Sequence, residues 1–221
     1  MRKTVILTAL LGMMIPAFGQ AEGNLQKAKS EMSSTPLPFA CVKSTTYVQP
    51  VVPFTPEGDA RTYAFSYKDL NGEAQNNNEE RNCTVFRRFE LGTADLLVVA
   101  VARSASTKHF LVSYKEGVPV DYLECAFSFN NDIAMKQWKI DAEGEIQISA
   151  LKVKEGRQVL FEEEFESIKA QRADHYYVVD ADGKFRKVRT VDYPEKFYSK
   201  DYLQNKNQNI WDGGEEAIAS N

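Results

Sequence analysis

The sequence predicts an all-β protein: an antiparallel meander of about eight to ten strands, either a single sheet stack or a propeller-like arrangement, between mobile termini. Three observations predict it. Segments in which apolar, often aromatic, residues alternate with polar ones recur along the chain, as where Tyr63, Phe65 and Tyr67 oppose Thr62, Ala64, Ser66 and Lys68; a period of two marks a half-buried strand. Turn-forming residues punctuate these segments, among them Asn71-Gly72 and Glu116-Gly117, which accept the positive φ that tight hairpins need. Two hairpin-like segments also match position by position: Trp138-Lys-Ile-Asp-Ala-Glu-Gly-Glu-Ile146 and Tyr177-Val-Val-Asp-Ala-Asp-Gly-Lys-Phe185. Their Asp suits a side chain that accepts backbone N–H groups, and their Gly suits left-handed geometry.

Taken in order, residues 1–21 read as a secretory signal peptide. Arg2 and Lys3 precede an apolar run from Val5 to Ile15, which breaks at Pro16. That core is too short to span a bilayer of ~30 Å, and small residues before Gly19 and Ala21 suit a peptidase cutting after either. Residues 22–38 are polar and turn-rich, and are expected to form a flexible lead-in. The β-rich domain is placed at 39–203. The strand around Tyr63–Tyr67 leads through Asn71-Gly72 into an exposed polar loop to Asn82. Val85–Glu90 is the next strand, and Leu96–Ala102, apolar on both faces, reads as a central strand covered on both sides. Phe110–Tyr114 and Val120–Phe129 form a hairpin; Trp138 and Ile140 lead into the Asp141 turn, and Ile146 and Ile148 lead out. Val159–Arg172 fits a strand or a short helix, and its strand-like neighbours favour the strand. Residues 204–221, dominated by Asn, Gln, Gly and Glu, are expected to be a disordered tail from which Trp211 docks on the body.

Removal of the leader leaves 200 of the 221 residues, enough for one domain with its own core. It also takes away two positive charges, moving the formal charge from −4 to −6. An acidic surface argues against nucleic acid and against a polybasic membrane dock, and nothing after the leader approaches the ~18 apolar residues of a span. A soluble mature chain without stable membrane insertion is therefore expected, secreted or periplasmic. Cys41, Cys83 and Cys125 allow one internal bridge in an oxidising compartment, with the pair left open. Leu123, Cys125, Phe127 and Phe129 share one face of a period-two run, so Cys125 is expected to be buried.

Motifs of the common hydrolases and of phosphate or dinucleotide binding are missing, and with them any cofactor expectation. His109 and His175 are the only histidines; neither lies near a cysteine in sequence, and no C-x-x-C exists, so no metal site is expected. Asp180 and Asp182 with Gly183 resemble part of a calcium loop but lack its remaining ligands, and turn chemistry explains them. Glu162, Glu163, Glu164 and Glu166 offer acids for a carboxylate-based glycan hydrolase, although such a run is ordinarily a solvated face. Aromatic rows suit sugar stacking, and Trp138 and Tyr177 beside the hairpin tips, with His175, are the candidate ligand-binding residues. Asn82-Cys83-Thr84 has the form of a glycosylation sequon.

The export signal, the strand entering an Asp-Ala-x-Gly turn and the closing Tyr-Val-Val-Asp-Ala-Asp-Gly-Lys-Phe-Arg-Lys-Val hairpin together resemble uncharacterised secreted β-meander proteins of Gram-negative, Bacteroidota-type bacteria. The resemblance implies an exported β-sheet domain, often propeller-like, with no functional residue to carry over. The expected role is a binding or interaction module at the cell envelope with a protein or glycan partner; the alternatives are the glycan hydrolase and a structural envelope-assembly protein.

Overall fold

The computed structural model describes residues 18–43, 51–56, 61, 66–68, 74–76, 83–92, 94–103, 106–129, 133–154 and 165–214. Helix α1 (Phe18–Glu31) precedes two short strands, β1 (Phe39–Ala40) and β2 (Val52–Pro53). A small ribbon follows, β3 (Ser66–Lys68) with β4 (Ala74–Asn76). The main meander is β5 (Cys83–Leu91), β6 (Ala94–Arg103), β7 (Ser106–Lys115), β8 (Val118–Phe129), β9 (Ile133–Ile140), β10 (Ile146–Val153), β11 (Ser167–Val179) and β12 (Phe185–Ser199). Helix α2 (Lys200–Gln204) and a single 3-10 turn (Ile210–Asp212) close the described chain.

From β5 to β12 each strand pairs with its successor, all antiparallel, and β2 adds to the outer edge of β5. The sheet is one continuous meander that does not close on itself, so of the two expected arrangements the single sheet is the one observed. Its order breaks at one place. Strand β8 pairs with β9 only between Phe127–Phe129 and Ile133–Lys136, and then diverges. Strand β1 takes its place, pairing Phe39 with Ile140 and Ala40 with Lys139. This fork lets the β5–β8 half swing over the β9–β12 half. Phe86, Phe89, Leu96, Val98 and Leu111 from the first half pack in one cluster with Trp138, Ile140, Ile146 and Ile148 from the second.

The far ends of the two halves are tied by polar contacts at the β11–β12 turn. Ser113 Oγ donates to the Gly183 carbonyl at 2.5 Å, Lys115 Nζ to the Ala181 carbonyl at 2.7 Å, and the Phe185 N–H to Asp121 Oδ2 at 2.9 Å. Gly183 is required there twice over. Its φ is +84°, and a Cβ would stand 3.3 Å from Val120 Cγ2. The matched turns of the sequence have the same internal bonding. Asp141 Oδ1 accepts the N–H groups of Glu143 (3.0 Å) and Glu145 (2.8 Å), and Asp180 Oδ1 those of Asp182 (2.9 Å) and Lys184 (3.0 Å). Turn closure thus engages Oδ1 of each leading Asp, the role that turn chemistry predicts for it.

Both expected mobile ends differ from the structure where it describes them. Helix α1 begins at Phe18, within the expected leader, and runs on into the lead-in, where Leu25 and Ala28, with Met32 just beyond its end, recur at helical spacing and are buried against Val52, Leu97, Val99 and Phe110. Three apolar residues suffice because one is a small alanine that lets the helix approach the sheet. Buried Arg88 then holds the helix exit, donating Nε to the Met32 carbonyl at 3.3 Å and pairing with Glu90 and Asp95. Lys29 reaches Asp95 at 2.8 Å. In the tail, Ile210 is fully buried and its N–H donates to Gln137 Oε1 at 2.8 Å. Asn209 anchors the turn: its N–H and Nδ2 donate to Asp212, while its Oδ1 accepts Gln137 Nε2 at 3.1 Å and the Lys43 N–H at 3.3 Å. Trp211 does dock, its carbonyl accepting Arg172 Nη1 at 3.2 Å.

The expected polar loop also differs in part, since Ala74–Asn76 pairs with Ser66–Lys68. The Asn71-Gly72 turn, Tyr63, Phe65, Asn82 and the acids Glu162, Glu163 and Glu164 lie outside the described residues. Ser167–Arg172 is strand, as the neighbours indicated. Among the described residues no helix is long and apolar enough to cross a membrane.

Candidate functional site

Residues directly opposite in an antiparallel pair share a face, so the register fixes which side chains meet. One row across β9 to β12 runs Trp138, Ile148, His175, Thr190; the next runs Ile140, Ile146, Tyr177, Lys187. The candidates Trp138, His175 and Tyr177 therefore share the face turned toward the β5–β8 half. Their accessibility differs sharply. Trp138, a candidate ligand-binding residue, is fully buried, packed against Phe39 and Phe89 at ring-centroid distances of 5.4 and 6.0 Å. It lies two residues before the end of β9, and the opposing half covers it there. Its indole Nε1 is the one buried side-chain nitrogen or oxygen among the described residues that lacks a hydrogen-bond partner.

His175 and Tyr177 are half-buried, toward the open edge of the sheet. His175 lies mid-strand in β11, and its Nδ1 shares a hydrogen bond with Thr190 Oγ1 at 3.1 Å. Burial, reinforced by the Lys187 ammonium and opposed by Asp192, holds its pKa below the usual imidazole value. Lys187 Nζ stands 5.6 Å from the centre of the Tyr177 ring. On the opposite face, the Arg189 guanidinium stacks 3.8 Å from the Tyr176 ring and reaches Glu145 at 2.6 Å. Neighbouring tyrosines on β11 thus each carry a cation from β12, one per face.

Beside this lies a buried polar cluster that the sequence reading missed. Asp174 is fully buried and accepts Arg172 Nε (2.9 Å) and Nη2 (2.6 Å), Gln147 Nε2 (2.9 Å) and the Tyr193 hydroxyl (3.2 Å). Arg172 also stacks 4.2 Å from the Tyr193 ring. A bidentate, fully bonded pair is the form in which buried charge is tolerated. The signal was present in sequence: Ile168, Ala170, Arg172 and Asp174 continue one apolar face, and charges on such a face must find partners.

The second titratable cluster lies at the fork. His109 Nδ1 is 3.9 Å from Cys41 Sγ, with the Phe86 ring 4.7 Å away, and burial pushes the His109 pKa down to about 4. Cys125 is fully buried, and that burial pushes its thiol well up, with a smaller push from Cys41. Cys125, held as the thiol by its burial, lacks the thiolate that nucleophilic chemistry needs. Glu124 bridges Lys136 and, at 3.2 Å, Lys108. Burial would raise its pKa, but the two ammonium groups together bring it below the ordinary value. Among the described residues no group of three or more His, Cys, Asp or Glu could hold a metal ion.

Comparison of the chain with protein-family models, with curated proteins and with solved structures finds no match. The side chains themselves therefore carry the functional argument.

Proposed function

We propose that the chain is an exported interaction module of the cell envelope whose recognition surface is the β11–β12 ribbon. One observation carries the proposal: Arg186 to Thr190 are five successive exposed residues in a strand, so neither face of β12 is covered there. Val188 is 47 % exposed and Phe197 67 %. Tyrosine and arginine dominate the energetics of protein interfaces, because each combines broad contact area with directed hydrogen bonds. Here Tyr176 and Arg189 already hold each other in place, which lowers the ordering cost of binding.

Recognition falls to side chains rather than to strand addition. Strand β12 carries two register shifts in its pairing with β11, opposite Gln171/Ala173 and Tyr176/Tyr177, and Pro194 occupies the first. Bulges and proline are the devices that keep a sheet edge from pairing with another chain. Export rests on the leader at residues 1–21, and the partner is a protein or glycan surface able to accept hydrogen bonds from Arg189 and stacking from the tyrosines.

The hydrolase alternative needs a carboxyl with a raised pKa to donate a proton. Among the described residues, the carboxyls whose values depart from the ordinary, Glu90, Glu124, Asp180 and Glu195, all move down. No observation favours that reading.

The test compares the wild-type chain with a Tyr176→Ala/Arg189→Ala double variant, by co-purification from the native envelope fraction and by a glycan thermal-shift screen. The partner or glycan held by the wild type should bind the variant at least tenfold more weakly, while the variant's dichroism is unchanged. Equal retention by both proteins would remove the ribbon as the recognition surface.

A further inference from the structure

Three cysteines allow three pairings, and the fold separates them. Cys83 lies in β5 opposite Val101, in the cluster covered by α1. Cys41 and Cys125 both lie in the other cluster, between the two halves of the sheet. All three are carried as thiols.

The fork brings Cys41 and Cys125 to the same spot. The Cys41 N–H donates to the Trp138 carbonyl at 3.0 Å, which seats Cys41 against Trp138 one step beyond the Ala40–Lys139 pair. On the other branch Phe127 pairs with Lys136. Strand β8 parts from β9 beyond that pair, and Cys125, two residues back along β8, lies with Cys41 and Trp138 in one buried cluster. The sulfur position agrees. Cys41 Sγ touches His109 Nδ1, and His109 pairs with Ala126, the neighbour of Cys125. Cys125 is itself the extra residue of a bulge, since β7 pairs His109 with Ala126 and Phe110 with Glu124. A bulged residue escapes strict alternation and turns its side chain by local geometry.

We infer that Cys41 and Cys125 are a disulfide site, a cross-link that staples β1 to β8 across the fork, with Cys83 remaining a thiol. The inference draws on the export reading only for the compartment in which the bond would form. The oxidant is a disulfide carrier such as oxidised glutathione. One cysteine loses its proton and attacks the carrier disulfide, forming a mixed disulfide and releasing one carrier thiolate, which takes up that proton. The second cysteine then attacks the protein-linked sulfur, and the second carrier thiol leaves with the second proton. Two protein thiols are oxidised and one carrier disulfide is reduced to two thiols. Both cysteines are buried, so the exchange belongs to folding, before the two halves close over the sulfurs.

The full chain, without its leader, is refolded in a mixture of reduced and oxidised glutathione, alkylated, digested without reduction and analysed by mass spectrometry. One cross-linked species joining the Cys41 and Cys125 peptides is expected, with Cys83 alkylated, and the Cys83→Ala variant should form the same link. Cys125→Ala should lose it. A link through Cys83, or a wild type folded by its dichroism in which all three cysteines are alkylated, overturns the inference. The refolding experiment is independent of location. The link formed in the tube by a protein found in the cytosol with its leader intact would uphold the disulfide site and sink the export reading.

Discussion

Strand β6 is buried on both faces, every residue from Leu96 to Val101 lying in the core, whereas β12 exposes Arg186 to Thr190 and is covered on neither face along that stretch. Both belong to one sheet. The difference lies in what each half packs against. Strand β6 is central to a half that has α1 on one side and the opposing half-sheet on the other, so Leu97 and Val99 face the helix while Leu96 and Val98 face Trp138 and its neighbours. Strand β12 is the last strand of the meander, held by β11 and by the turn that docks on Ser113 and Asp121. Burial of apolar surface is the main stabilising term. Strand β6 therefore contributes chiefly to stability, while the Arg186–Thr190 stretch of β12 is available for contact.

The largest expected effect tests the covered side. Leu97→Ala should cost about 2–5 kcal/mol through lost burial and the cavity left under α1, read as a lower urea midpoint with an unchanged slope. A cost under about 1 kcal/mol would mean that the helix is not seated on β6.

Next comes pH. His109 falls from 6.5 in the unfolded chain to about 4 in the fold, so between these values the unfolded state binds more protons than the folded one. Its neutral burial therefore contributes fully above pH 6.5, and the contribution is lost as pH falls toward 4, by roughly 3 kcal/mol in all. Denaturation midpoints across that window should fall for the wild type and fall less for His109→Gln. Parallel pH profiles would place the acid sensitivity elsewhere.

The smallest effect tests the open side. Val188→Ser and Phe197→Ser should each change stability by no more than about 0.5 kcal/mol, because little apolar surface there leaves water on folding. A loss of more than about 1 kcal/mol in thermal unfolding would show β12 to be covered in solution, and would erase the contrast with β6.

Much of the meander was legible in the residues. Leu96–Ala102 announced a doubly covered strand by its unbroken apolar run, and Asp141-Ala-Glu-Gly144 and Asp180-Ala-Asp-Gly183 announced two alike turns through the only residue types that close them. Two kinds of feature escaped. Helix α1 and the Ile210 turn are anchored by few apolar residues and by distant polar partners, Arg88 for one and Gln137 for the other, and local composition does not carry that. Alternation also says which residues share a face without saying how deep along the strand the cover reaches. Trp138, His175 and Tyr177 do share a face, yet the opposing half lies over the first and leaves the other two half-open. The Arg172–Asp174 cluster was hidden because a charged pair two residues apart looks solvated until its strand face is known to be inside.

The seam where Phe39 meets Ile140 sets a schedule for synthesis. The early segment of the chain waits for about a hundred residues to be made before the strand it joins exists, and loop closure over that distance is slow as well as entropically costly. Until then Phe39 and Cys41 have no shelter of their own. A newborn chain would thus seat β1 only after β9 had emerged, although α1, packed on Val52, Leu97 and Phe110, has its partners earlier.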